Sequence, residues 1–168
     1  MAPNLTKVNP QMEKLASNAV NAARDKFGLN LDYSEGSLMR LEDLLQKAHE
    51  GYRDGYQKSL VSGDSINVTL EYTVRIWGSY FGEVVRRSLG GDWVVDQKEV
   101  YLKFAPGRLD SLGEGSSRVL IVDHKNVFLQ VESRRLDPLG QVRARIIGGP
   151  LYNLPDFFAS IRNRLQKK

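Results

Sequence analysis

Cysteine is absent from the 168 residues, which removes disulfides, thiol nucleophiles and thiolate metal sites from consideration. Histidine occurs only at His49 and His124, and neither has the ligand spacing of an HExxH pair, so no metal site is expected. No apolar run approaches the ~18 residues a membrane-spanning helix needs, and Met1 to Pro10 lacks the apolar core of a secretory signal. These absences lead to the expectation of a cytoplasmic protein with no membrane segment, metal or cofactor. There is no GxSxG elbow, and no serine is visibly paired with a histidine. The glycine-containing stretch Leu112 to Ser117 lacks a phosphate-reaching lysine and leads into a strand pattern, so it reads as a hairpin connection.

What is present is the composition of an ordinary folded protein: at 41% apolar and 26% charged, the chain has too much apolar content for disorder. Its length fits one domain over residues 1–168, with residues 1–9 read as a flexible tail. A chain of this size buries roughly two thirds of the surface its unfolded form exposes, so no covalent staple is required. The net charge is +4, unevenly distributed. From Arg134 onward Arg134, Arg135, Arg143, Arg145, Arg162, Arg164, Lys167 and Lys168 face only Asp137 and Asp156, which leaves the rest of the chain slightly acidic. The basic character is therefore C-terminal.

Asn9-Pro10 opens a helical stripe of Met12, Leu15, Ala16, Ala19, Ala23 and Phe27, closed by Gly28. Ser34 is a natural N-cap, with Tyr33 placed to staple onto Leu38, and Leu41, Leu45, Ala48 and Tyr52 carry a second helix to about Gly51. Gly55 to Asp64 reads as a loop. Two patterns compete over 66–76. Ile66, Val68, Leu70, Tyr72, Val74 and Ile76 alternate as in a strand, yet Leu70, Val74, Trp77, Phe81 and Val84 fit one helical face. The i,i+4 pairs Glu71 with Arg75 and Glu83 with Arg87 favour a helix from about Leu70 to Leu89, stopped by Gly90 and Gly91.

Beyond the glycines the period changes to that of strands at 93–96, 99–104, 118–123 and 127–132, with a tight turn over Asp123 to Asn126 and a longer loop over 106–117. A short helix over 138–147 and a last helix opened by Leu154-Pro155-Asp156, with Phe158, Ile161 and Leu165 inward, complete the chain. The resulting expectation is an α+β fold. N-terminal helices and a central buried helix pack on an antiparallel β-meander of about four strands, followed by a C-terminal helix.

Residues 76–93 are the most informative stretch. Trp77, Phe81, Val84 and Val85 recur at helical spacing, while Gly78 and Gly82 share a second side where another backbone can approach closely. This segment, Trp77-Gly78-Ser79-Tyr80-Phe81-Gly82-Glu83-Val84 with Arg86, Gly90, Gly91 and Trp93, carries a resemblance together with Leu31-Asp32-Tyr33-Ser34, Ser37-Leu38 and Leu41-Glu42. Arg145-Ile146, Gly149-Pro150 and Phe157 add a third, weaker stretch. On these residues the chain resembles a family of uncharacterised bacterial single-domain proteins, over most of its length from about Leu31. The resemblance implies a bacterial cytoplasmic α+β domain and transfers no catalytic residue.

Glu83 is the leading chemical candidate, because a carboxylate on a helix walled by Trp77, Tyr80, Phe81 and Val84 is open to desolvation, which would raise its pKa. The competing and weightier reading is a structural ion pair with Arg86 or Arg87. Trp77, Tyr80, Glu83, Arg87 and Trp93 are the candidate ligand-binding set, and no catalytic residue can be assigned. For Gly78 and Gly82, close internal packing outweighs a dimer seam.

Three functions follow in order. The first is a non-catalytic module that binds another protein. The second is a small-ligand site or enzyme with its pocket near Glu83. The third, not favoured, is nucleic-acid binding through the basic C-terminal third, where Tyr152, Phe157 and Phe158 would have to supply base stacking.

Overall fold

Every residue from Ile76 to Val85 is buried, glycines, serine and glutamate included, so the helix that carries them is enclosed on all sides. The structure is a computed structural model that describes residues 5–62, 67–96, 127–132 and 134–167, with 58–62, 67–68 and 96 described by backbone alone. Strand β1 (Leu5–Lys7) leads into helices α1 (Asn9–Phe27), α2 (Ser37–Ser62) and α3 (Asn67–Leu89), then strands β2 (Asp92–Asp96), β3 (Val127–Val131) and β4 (Arg134–Leu136). Helix α4 (Pro138–Gly148), a 3-10 turn (Pro150–Tyr152) and α5 (Leu154–Gln166) end the order. This is an α+β fold, and its described residues form a four-stranded antiparallel sheet in the order β1-β2-β3-β4.

The competition over 66–76 resolves in favour of helix, which starts at Asn67. Helical spacing buries Leu70, Val74 and Trp77 and leaves Tyr72 63% exposed, whereas a strand would have turned Leu70, Tyr72 and Val74 to one face. Helix α1 packs on one flank of α3 and α4 on another, while α2 packs on α4. Trp93, Val95, Val127, Leu129 and Val131 form the buried face of the sheet, with Trp93 opposite Leu129 and Val95 opposite Val127.

Two expectations change. Residues 5–7, read as part of a flexible tail, pair with β2 in the register Thr6 to Val95, and Val8 extends the contact by donating its N–H to Trp93 O at 2.9 Å. Helix α2 does not stop near Gly51 but continues to Ser62, through most of the expected loop over Gly55 to Asp64. Tyr52 and Tyr56 stack at 6.1 Å on that continuation, one turn apart, which offsets part of the ~1 kcal/mol each glycine costs in a helix. Tyr33 has φ 62° in the turn before α2, and its ring lies against Tyr80. The strands expected at 99–104 and 118–123, the loop over 106–117 and the turn holding His124 lie outside the described residues.

The helix ends follow local chemistry. Gly28 closes α1 at φ 64°, Asp137 caps α4 by accepting from the Gly140 N–H at 2.8 Å, and Asn153 caps α5 by accepting from the Asp156 N–H at 3.0 Å.

Candidate functional site

The two glycines of α3 determine what can lie against it. A Cβ at Gly82 would come within 2.0 Å of Trp93 Cζ2, and one at Gly78 within 2.9 Å of Leu139 Cα. The GxxxG spacing therefore serves internal packing: Gly78 admits the backbone of α4, and Gly82 admits the indole of the first inward residue of β2. With the ring seated there, Trp93 Nε1–H reaches Glu83 Oε1 at 2.8 Å.

Glu83 is 0% exposed and accepts from three side chains. Arg86 donates from Nε to Oε1 at 2.8 Å and from Nη2 to Oε2 at 3.0 Å, a fork matched to the carboxylate plane. Arg87 Nε adds a longer bond to Oε2 at 3.3 Å. Burial by itself pushes the carboxyl upward, but hydrogen bonds from Arg86, Trp93 and Arg87, with the Arg86 charge, outweigh it and hold Glu83 below its usual range. Glu83 is thus an ionised structural acceptor. The raised pKa that acid/base work would ask for is not what this environment produces.

The network continues on both sides. Arg86 Nη2 also reaches Glu13 on α1 at 2.5 Å. Asn9, the first residue of α1, accepts the Trp93 N–H at 2.7 Å and donates to Asp92 Oδ1 at 2.8 Å, and Asp92 pairs with Lys7 at 2.8 Å. The Arg87 guanidinium lies 3.6 Å from the centroid of Tyr33, whose ring is 5.1 Å from that of Tyr80. The Tyr80 hydroxyl accepts the Tyr33 N–H at 3.0 Å and bonds Ser37 Oγ at 2.6 Å. Because Ser37 Oγ–H donates to Ser34 O at 2.6 Å, the Tyr80 hydroxyl is the donor to Ser37.

Four of the five candidate residues, Tyr80, Glu83, Arg87 and Trp93, are therefore joined in one chain of contacts, but it is a filled junction and Glu83 has no opening to solvent. Trp77 faces elsewhere, meeting Phe27 edge-on at 6.4 Å.

A second buried ion pair has no signal in the sequence. Arg145 Nε donates to Glu42 Oε2 at 2.8 Å and Arg145 Nη2 to Gln46 Oε1 at 3.0 Å, while the Leu154 N–H donates to Glu42 Oε1 at 2.7 Å. One carboxylate thus ties α2 to α4 and to the start of α5. His49 Nδ1 lies 2.7 Å from Ile146 O and joins the same seam. Among the described residues no cluster of three or more His, Asp or Glu side chains is arranged to hold a metal.

Three of the C-terminal arginines are taken up in ion pairs. Arg143 pairs with Glu71, Arg145 is buried on Glu42, and Arg162 pairs with Glu35 at 2.7 Å. A surface depression of about 320 Å³ lies over the sheet past Lys7, Asp92 and Gln130, and two more lie beside the N-terminal half of α3. One of about 400 Å³ runs between α2 and α3 past Gly51, Tyr52 and Thr73, and one of about 170 Å³ runs between α1 and α3 past Lys26, Phe27, Tyr72 and Trp77. No helix of the described residues is long and apolar enough to cross a membrane.

No protein-family model, curated protein or solved structure matches the chain.

Proposed function

We propose that this protein is a non-catalytic module that binds another protein, in the bacterial cytoplasmic setting that its sequence resemblance implies. The observation that carries this reading is large apolar side chains standing in solvent on α1, α3 and the 3-10 turn: Leu151 is 93% exposed, Tyr72 63% and Phe27 44%. Tyrosine and phenylalanine held rigidly at a surface are the anchors that protein interfaces use, and they lose little conformational entropy on docking. Buried charge in this chain supports the same reading. Glu83 and Glu42 are both consumed in ties between elements, and each is bound by arginine and by a further N–H donor. An enzyme or ligand pocket at Glu83 would need an opening where the side chain is 0% exposed.

The test is affinity capture with the full chain as bait in a bacterial cytosolic extract, alongside turnover assays on the purified chain. The expected result is a stoichiometric protein partner, released when Tyr72 or Leu151 is replaced by aspartate, and no turnover. A chain that captures nothing and turns over a substrate would overturn the reading.

A further inference from the structure

The depression between α2 and α3 has a volume of about 400 Å³, inside the ~300–1,000 Å³ range of pockets that hold small molecules. The buried side chains of Leu70 and Ile146 form its floor, and Gly51 and Tyr52 of α2 face Thr69 and Thr73 of α3 across it. Tyr52 is held in place by its stack on Tyr56 at 6.1 Å. The Thr73 hydroxyl donates to Thr69 O at 2.8 Å, which fixes its rotor and leaves Thr73 Oγ1 able to accept. The hollow thus offers an apolar floor, one aromatic wall and an oriented acceptor.

Charge and backbone narrow the occupant. None of the described residues that line the hollow is charged. Charged side chains at neighbouring positions are of both signs and engaged: Arg53 with Asp54 at 3.6 Å, Glu50 with Gln46 at 2.9 Å and Glu71 with Arg143. An ionised ligand would therefore shed water there without gaining a dedicated counter-ion. Glycine is the poorest helix former after proline, and at Gly78 and Gly82 a neighbouring element accounts for it, whereas at Gly51 a Cβ would meet nothing within 4 Å. Gly51 serves no internal packing, and the room it leaves widens the hollow. We infer that this depression binds an uncharged, ring-bearing small molecule that packs on Tyr52, rests on Leu70 and Ile146 and donates one hydrogen bond to Thr73 Oγ1. This binding function is separate from the protein-binding surface proposed above and uses none of its residues.

The test titrates the ¹⁵N-labelled full chain with indole, which is uncharged and has an N–H donor, with N-methylindole, which lacks the donor, and with indoleacetate, which is anionic. Indole should shift the Gly51 and Thr73 amide resonances saturably at millimolar concentration, while the side-chain N–H of Trp93, sealed against Glu83, stays in place. N-methylindole should bind roughly fivefold more weakly and indoleacetate roughly tenfold more weakly. Thr73→Val should lower the affinity for indole to that for N-methylindole and leave N-methylindole binding unchanged. Gly51→Leu fills the hollow from a position with open space, so it should abolish binding of both neutral probes while melting no lower than wild type, which separates lost room from lost folding. The inference is overturned if no saturable shift occurs at Gly51 and Thr73, if indoleacetate binds as well as indole, or if Thr73→Val or Gly51→Leu binds indole like wild type. Shifts confined to the Trp77 side-chain N–H would place the probe in the smaller depression and overturn it as well.

Discussion

Trp93 donates its indole N–H to Glu83 at 2.8 Å from ten residues further along the chain, and the ring passes over Gly82 to get there. Helix, glycine turn and strand are fixed to one another by that bond. Removing the carboxylate leaves two arginines and an indole facing a buried gap, so Glu83→Ala should cost about 3–5 kcal/mol. Trp93→Phe keeps most of the packing and loses one charge-assisted bond, about 2 kcal/mol. Urea unfolding followed by far-UV circular dichroism checks both, and a Trp93→Phe variant as stable as wild type would mean that the bond adds nothing beyond ring packing.

The two kinds of glycine in the helices should separate cleanly. Gly82→Ala drives a methyl into the Trp93 ring and should destabilise by about 1–3 kcal/mol or more. Gly51→Ala meets open space on α2 and should stabilise by about 0.5–1 kcal/mol. Thermal melts of the two variants should move in opposite directions.

Acid sensitivity follows from the sign of the Glu83 shift. Its folded-state pKa lies below the ordinary 4.5, so the stabilisation is fully present above about 4.5 and is lost as pH falls through the lower folded value. The stability gap between wild type and Glu83→Gln should be widest near pH 7 and should narrow as pH falls toward 3. A gap that does not change with pH would show that Glu83 carries no such shift.

Arg145 and Arg162 make ion pairs of very different worth. Arg145→Met leaves Glu42 inside the seam of α2, α4 and α5 without its cation and should cost about 3–5 kcal/mol. Arg162→Ala breaks an exposed pair with Glu35 and should cost less than about 1 kcal/mol. Arg145→Lys should not restore stability, since one ammonium on a longer stem cannot reproduce the fork to Glu42 and Gln46.

A labelled 30-base-pair duplex should show no saturable binding at 150 mM salt, by anisotropy. Arg143, Arg145 and Arg162 are each held by a glutamate, which takes three basic side chains of the C-terminal third away from phosphate contact. Binding with a steep salt dependence would reverse that reading.

What could be read from the residues is uneven, and the division is physical. Gly28 after Phe27, Pro138 and Pro155 near their helix starts, and the two-residue alternation of Val127, Leu129 and Val131 are local signals, and each marks its element where the structure has it. The ion pair of Glu83 with Arg86 and Arg87 was visible because helix geometry brings i+3 and i+4 together. Trp93 as a further donor was not, because it depends on how the strand folds back. The continuation of α2 past Gly51 runs through mostly exposed residues and carries a tyrosine stack one turn apart, which no apolar stripe in the sequence announces. Three-residue strands such as β1 and β4 are too short to show periodicity. Glu42 and Arg145 lie 103 positions apart, so their pairing exists only in the folded chain.

Helix α3 has α1, α4 and the sheet closed around it, with no residue from Ile76 to Val85 left at the surface. Its middle amides can therefore meet deuterium only when those coverings come away together, and they should exchange at the rate set by global unfolding while the open ends of α2 exchange sooner. Among the described residues this helix is the hub, so injury there should be felt in every element packed on it.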